Sequence, residues 1–179
     1  MQLPVLDAQD QSKWYADGLK FTCEQCGNCC TGGPGYVWIS RREIRRLAKH
    51  LEITPDQVIE RYCREVNGKI TLKETRNAAG LYDCIFLTER PAPAGSTVDS
   101  TETVAHSRRI CSIYPVRPLQ CRTWPFWPEI VKDPAGWELA ARKCPGIDRG
   151  RTFSLAEIEK LRTARDWPKT KNAPGSAKS

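Results

Sequence analysis

The stretch CEQCGNCC at residues 23–30 places four cysteines within eight positions of a 179-residue chain. The two thiolates of a C-x-x-C turn can face one metal ion, whereas the neighbours Cys29 and Cys30 are expected to direct their side chains apart. Cys23, Cys26 and Cys29 reproduce the C-x2-C-x2-C run of ferredoxin-type clusters, but the fourth cysteine with its following proline is missing at the usual offset. Zinc accepts the same thiolates. The stretch predicts a metal centre and leaves open which metal it holds and whether there is one site or two.

Five further cysteines stand at positions 63, 84, 111, 121 and 144, which brings the count to an odd nine. Cys144 precedes Pro145, as does the remote ligand of some iron-sulfur sites. The first twenty residues do not read as a signal peptide, and no apolar run is long enough to cross a bilayer. We therefore expect a cytoplasmic protein with no membrane partner. In that reducing compartment its thiols are expected to be metal ligands rather than disulfides.

Leu, Ile, Val and Phe together make up just under a fifth of the chain, so a conventional core would be thin. A metal bound only by the folded form contributes its binding free energy to folding. We therefore expect an α+β fold: a small, irregular, metal-stapled domain with short helices and a β-hairpin.

Three capping-box patterns predict the starts of helices. The second helix is expected to run on through Cys63 to Val66 and to bury Cys63 as a small hydrophobe rather than a ligand. The capping pairs are Ser40 with Glu43, Thr54 with Gln57, and Ser154 with Glu157.

Residues 69–75 and 81–87 predict two strands joined by a turn at residues 77–80, with Cys84 in the second strand. The predicted organisation of the whole chain has five parts. These are a polar N-terminal lead-in at 1–20, a cysteine-cluster metal-binding domain at 21–150 with a surface insertion at 91–107, a C-terminal helix at 151–167, and a disordered tail at 168–179.

The formal charge of +7 and the basic helix SRREIRRLAK at residues 40–49 raise a second class of function. Together with the aromatic run WPFW, they make a nucleic-acid-binding zinc module an alternative function. Such a charged helix face is more often simply solvated. The two histidines, His50 and His106, lie in polar surroundings and are not expected to bind metal.

The chain resembles the YkgJ-type (CxxCxxCC) cysteine-cluster family, a family of zinc- or iron-chelating domains. The resemblance rests on CEQCGNCC, DCIFL, CSIYPVRPLQCRTWPFWPE and CPGIDRG, which occur in the order of the family between Phe21 and Gly150. It leaves Cys63 outside the site. It implies eight metal ligands: Cys23, Cys26, Cys29, Cys30, Cys84, Cys111, Cys121 and Cys144.

Two arginines and four aromatic residues are expected to surround the metal. Arg117 and Arg122 flank Cys121 in a run that matches the family, and their guanidinium groups would hydrogen-bond thiolate sulfurs. The aromatic residues would form the core and shield the centre from water. They are Tyr114, Trp124, Phe126 and Trp127.

The leading functional hypothesis is a metal-binding protein that chelates zinc or iron, including a 4Fe-4S cluster. A flagellin lysine N-methylase has a similar cysteine pattern within a larger protein, so an iron-sulfur enzyme related to protein lysine N-methylation is one alternative. The nucleic-acid-binding zinc module is the other. The sequence does not decide whether the protein is an enzyme.

Overall fold

The computed structural model describes residues 12–90 and 108–164, and these residues form two compact units. The central unit consists of residues 25–90 and 108–118, and the terminal unit of residues 12–24 and 119–164. Short helices and small antiparallel strand pairs occur in both units, which confirms the predicted α+β class.

The described residues contain five α-helices and nine strands. The helices are α1 (Arg41–Leu51), α2 (Pro55–Tyr62), α3 (Leu119–Arg122), α4 (Pro134–Ala141) and α5 (Leu155–Thr163). The strands are β1 (Leu19–Phe21), β2 (Thr31–Gly32), β3 (Cys63–Val66), β4 (Lys69–Leu72), β5 (Glu74–Arg76), β6 (Tyr82–Cys84), β7 (Leu87–Arg90), β8 (Arg108–Cys111) and β9 (Arg151–Phe153).

All three predicted capping boxes are present. The side chains of Ser40, Thr54 and Ser154 each accept a hydrogen bond from the backbone N–H three residues later. The Glu or Gln at that third position accepts one in return from the backbone N–H of the cap. These reciprocal bonds satisfy donors that a helix cannot pair internally, which explains why α1, α2 and α5 begin where they do.

The second predicted helix is shorter than expected. It ends at Tyr62, and Cys63–Val66 forms strand β3, which pairs with β4 in the register Cys63 to Leu72. The apolar spacing was compatible with another helical turn, but pairing with β4 satisfies the same backbone groups. The predicted burial of Cys63 is confirmed, since only 4% of it is exposed.

The predicted hairpin is present, with strands that are interrupted. Strands β5 and β6 pair on either side of the turn, where the Asn77 side chain accepts hydrogen bonds from the N–H groups of Ala79 and Leu81. The predicted strand 69–75 breaks at Lys73, whose N–H turns away to the carbonyl of Tyr62 at 2.8 Å. The predicted strand 81–87 likewise divides into β6 and the beginning of β7.

The central unit contains three separate strand assemblies. They are a three-stranded sheet in the order β2-β6-β5, the β3-β4 hairpin, and the β7-β8 pair, all antiparallel. Helices α1 and α2 bury Leu47 and Val58 completely against these strands. Cys84 and Cys111 pack at the edge of the same core.

The terminal unit joins the two ends of the described chain. Strand β1 pairs with β9, so that Leu19 lies opposite Phe153. Its core is aromatic and is centred on Phe126, which lies 4.6 Å from the Phe153 ring and 5.8 Å from the Trp137 ring between centroids. The Tyr15 hydroxyl donates to Glu159 of α5 at 2.6 Å. Residues 12–24, from the predicted lead-in and the start of the cysteine stretch, therefore contribute to a packed core.

Several predictions fall outside the described residues: those for residues 1–11, for the insertion at 91–107, and for residues 165–179. Within the described ranges, none of the helices has the length and apolar character needed to cross a membrane.

Candidate metal centre

All nine cysteines fall within the described ranges, and none of them forms a disulfide. The division into units separates the eight predicted ligands. Cys23, Cys121 and Cys144 belong to the terminal unit, and five others belong to the central unit. Those five are Cys26, Cys29, Cys30, Cys84 and Cys111.

Three thiols of the central unit form a hydrogen-bonded row. The sulfur atoms of Cys29 and Cys30 lie 3.8 Å apart, and the Cys30 side chain is also hydrogen-bonded to Cys111. The expectation that Cys29 and Cys30 point apart is therefore wrong. Both residues lie in the tight 3-10 turn Asn28–Cys30.

The electrostatic environment favours thiolates at the two ends of this row. The hydrogen bond from Cys30 lowers the pKa of Cys111 to about 7, with support from the backbone N–H of Ile113 and the positive charge of Arg117. The same two groups, Cys30 and Arg117, lower the pKa of Cys29. A thiolate is the form that binds metal, so the lowered pKa values of Cys29 and Cys111 favour the binding of a cation here.

Cys84 lies near the row, and its pKa is shifted in the opposite direction. Burial raises the pKa of Cys84 to about 11, and the nearby Cys111 and Cys29 add to this effect because two neighbouring thiolates repel each other. Burial also raises the pKa of Cys63 to about 11, but Cys29, Cys30 and Cys111 are not among the groups that influence it. Cys84 is therefore close enough to the row to interact with it electrostatically, and Cys63 remains a core residue.

The Asp83 carboxylate connects the three segments that carry these four thiols. It accepts hydrogen bonds from the Thr31 hydroxyl and, at 3.0 Å, from the Asn77 side chain, and it lies 3.5 Å from the Arg109 guanidinium. The Thr31 hydroxyl, followed by the other two partners, lowers the pKa of Asp83, so the group is a carboxylate at neutral pH. Thr31 follows Cys30, Asp83 precedes Cys84, and Arg109 lies two residues before Cys111.

Gly27 allows the cysteine turn to approach β7 and β8 closely. It precedes the turn with a left-handed φ of 75°, and a Cβ atom there would lie 2.9 Å from Leu87 Cδ1 and 3.1 Å from the Arg109 carbonyl oxygen. Only glycine combines this backbone conformation with this contact.

In the terminal unit, the segments that carry Cys23 and Cys144 are in direct backbone contact. The Thr22 N–H donates to the Gly146 carbonyl at 3.0 Å. A Cβ atom on Gly146 would overlap the carbonyl oxygen of Thr22. Glycine at position 146 therefore allows the turn after Cys144 to reach the residue before Cys23.

The terminal unit also contains a buried donor with no acceptor. The indole N–H of Trp124, three residues after Cys121, is fully buried and has no hydrogen-bond partner among the described residues. An unpaired buried N–H costs about 1–3 kcal/mol. Metal-bound thiolates accept such hydrogen bonds, so this donor is consistent with a sulfur ligand nearby.

The residues predicted to surround the metal are divided between the two units. Arg117 acts on Cys29 and Cys111 and stacks on the Tyr114 ring at 3.8 Å, all within the central unit. Arg122 is the last residue of helix α3 in the terminal unit, and its hydrogen bond to a thiolate sulfur stays a prediction. Phe126 is a core residue as predicted, since only 1% of it is exposed.

Across residues 12–90 and 108–164, no group of three or more histidine, cysteine or acidic side chains is arranged to hold a metal ion. The donors nevertheless have the chemistry that a soft metal prefers, because three hydrogen-bonded thiols lie near Arg117 and Cys84 is close enough to interact with two of them electrostatically. A tetrahedral shell with zinc–sulfur bonds of about 2.3 Å places its sulfurs about 3.8 Å apart, which matches the spacing of Cys29 and Cys30.

Sequence reasoning missed the residues that position the thiols. Asp83 enters the sequence analysis only as the first residue of the DCIFL run, and neither Thr31 nor Arg109 is among its predicted site residues. Gly146 was recognised only as part of the CPGIDRG run. Each of these residues acts across a long sequence separation, which local spacing does not reveal.

Comparison with known proteins identifies one family. Residues 22–145 match the model of the CxxCxxCC family, described as a "Putative zinc- or iron-chelating domain". An uncharacterised protein of Methanocaldococcus jannaschii is 30% identical over 112 residues, which cover 63% of this chain and 48% of the relative. The chain thus spans about half the length of that curated relative. No solved structure matches the chain.

The pKa difference between Cys111 and Cys84 predicts unequal reactivity in the metal-free protein. At pH 7 about half of Cys111 would be thiolate, against about one part in ten thousand of Cys84. After allowance for the lower nucleophilicity of a low-pKa thiolate, Cys111 should react with iodoacetamide on the order of 100-fold faster. Peptide mapping by mass spectrometry measures both rates. Equal rates would contradict the electrostatic description.

Substitution of Asp83 should destabilise the central unit. Asp83→Ala leaves the Thr31 hydroxyl and the Arg109 guanidinium without their shared acceptor, and we expect a loss of about 1–3 kcal/mol in the free energy of unfolding. Urea denaturation of the metal-free protein measures this loss. Glu65→Ala, at an exposed position of β3, is the matched control and should be nearly neutral. Equal stability of the two variants would show that Asp83 does not hold these segments.

Gly146→Ala should destabilise the terminal unit. The added methyl group overlaps the Thr22 carbonyl, and relief of such overpacking costs about 1–3 kcal/mol. Gly33→Ala adds the same methyl group where no atom lies within 4 Å and should have little effect. Thermal denaturation compares the two variants, and an unchanged melting temperature for Gly146→Ala would refute the close contact.

Proposed function

This chain belongs to the CxxCxxCC family of zinc- or iron-chelating domains, and from that premise we propose that its eight predicted cysteines are the metal ligands. We assign four of them, Cys29, Cys30, Cys84 and Cys111, to one site within the central unit. The other four are Cys23, Cys26, Cys121 and Cys144.

The observation that carries this proposal is the row of Cys29, Cys30 and Cys111. The 3.8 Å distance between the Cys29 and Cys30 sulfurs equals one edge of a tetrahedral thiolate shell, and the pKa values of Cys29 and Cys111 are lowered. Thiol protons link neighbouring sulfurs of the row through hydrogen bonds. Metal binding replaces these protons, and the row must close around the ion with the help of Cys84.

Arg117 offsets part of the negative charge that four thiolates would bring. Four thiolates around a divalent ion carry a net charge of −2, and a partly exposed guanidinium beside Cys29 and Cys111 reduces their mutual repulsion. The same charge lowers the pKa of both thiols without metal, so Arg117 favours the ligand form before binding.

A centre of this composition would supply structural stability if it binds zinc and, in addition, electron transfer if it binds an iron-sulfur cluster. Thiolate ligands suit both metals, and the ligand set does not distinguish between them. We therefore propose a metal bound by cysteines, and this metal is zinc or iron.

The test is metal analysis of protein purified without oxygen. The wild-type chain should contain stoichiometric zinc, or iron with acid-labile sulfide and a visible spectrum. Cys30→Ser and Cys111→Ser should each lose most of the metal of the central group. Cys63→Ala removes a cysteine that burial assigns to the core and should retain the metal.

Circular dichroism spectra of each variant check that it is folded. Equal metal loss in Cys63→Ala and Cys30→Ser would overturn the ligand assignment. A well-ordered wild-type protein with no bound metal would overturn the function itself.

A further inference from the structure

Helix α1 presents a cationic face to solvent. Five of its eleven residues are exposed arginine or lysine side chains in two rows spaced four residues apart. This basic face consists of Arg41, Arg42, Arg45, Arg46 and Lys49.

The basic face has no acidic partners among the residues described. None of its five cations forms an ion pair with a carboxylate in residues 12–90 or 108–164. The acid within the helix, Glu43, is buried and occupied in the capping box with Ser40. Without these five cations the formal charge of the chain would be +2 instead of +7.

This arrangement opposes helix stability. Like charges four residues apart repel, and here they recur at the pairs 41–45, 42–46 and 45–49. Arg41 and Arg42 also stand in the first turn, where the helix dipole disfavours positive charge. The helix is held by its cap and by the opposite face, on which Ile44, Leu47 and Ala48 are buried. The basic face therefore contributes nothing evident to the fold.

We propose that the basic face of α1 is a docking surface for the phosphodiester backbone of a nucleic acid. Arginine supplies four of its five cations, and the planar guanidinium binds phosphate through paired hydrogen bonds. Residues four apart in a helix are about 6 Å apart along its axis, so each row offers a series of cations to a chain of regularly spaced charges. Because the apolar face of α1 is already buried in the protein core, this helix has no surface to insert into a lipid bilayer.

The proposed contacts are to phosphates, which carry no sequence information. Binding should therefore be insensitive to sequence and strongly dependent on salt, because each neutralised phosphate releases bound counterions. The inference is independent of the metal centre, which involves none of the five residues.

The test is fluorescence anisotropy of a labelled 20-base-pair DNA duplex titrated with the full chain at several salt concentrations. Arg42→Gln with Arg46→Gln should weaken binding and reduce the slope of log K against log salt by about 2, one unit for each lost phosphate contact. Lys69→Gln with Arg142→Gln removes the same charge from exposed positions outside α1 and should leave the slope unchanged.

Thermal unfolding measures the stability of both double variants. The α1 variant should be no less stable than the wild type, because the substitutions relieve repulsion between neighbouring arginines. An equal effect of the two double variants on DNA binding, or no binding by the wild type at low salt, would overturn the proposal. Tighter binding to polyglutamate than to DNA would overturn it in favour of an acidic protein partner.

Discussion

The Asp83 carboxylate is the group on which the thiol arrangement of the central unit depends. Hydrogen bonds to a charged acceptor are stronger than those between neutral groups, and Asp83 accepts two of them and pairs with a guanidinium. Two of its partners, Thr31 and Arg109, come from segments that are distant in sequence, and the third, Asn77, lies in the turn of its own hairpin. These polar contacts hold together the segments that carry the sulfurs. Part of the entropic cost of assembling a metal shell is met when the chain folds.

The elements that the sequence predicts correctly depend on local interactions. A capping box involves residues three positions apart, so Ser40, Thr54 and Ser154 each mark a helix start without reference to the rest of the chain. The turn at Asn77 is equally local, because its own side chain accepts the hydrogen bonds that close it. The burial of Cys63 followed from apolar spacing and holds even though the residue lies in a strand rather than a helix.

The features that the sequence does not predict depend on distant partners. Helix α2 ends early because β4 competes for the backbone of Cys63–Val66, and the pairing of β7 with β8 crosses a gap of seventeen residues. The short distance between the Cys29 and Cys30 sulfurs occurs in a turn that follows the left-handed backbone of Gly27, and residue spacing does not reveal it. The set of eight ligands came from resemblance to a family, since spacing alone left the number of sites open, and the set stays a prediction.

The pairing of β7 with β8 has a consequence for the length of the chain between them. Their outer ends, Arg90 and Arg108, lie opposite each other, so the hairpin fixes both attachment points of the intervening segment. The entropy of closing a flexible loop grows only slowly with its length. This position is accordingly suited to grafting: a peptide tag or a reporter domain could be spliced in there while the cysteine-bearing strand β8 keeps its register.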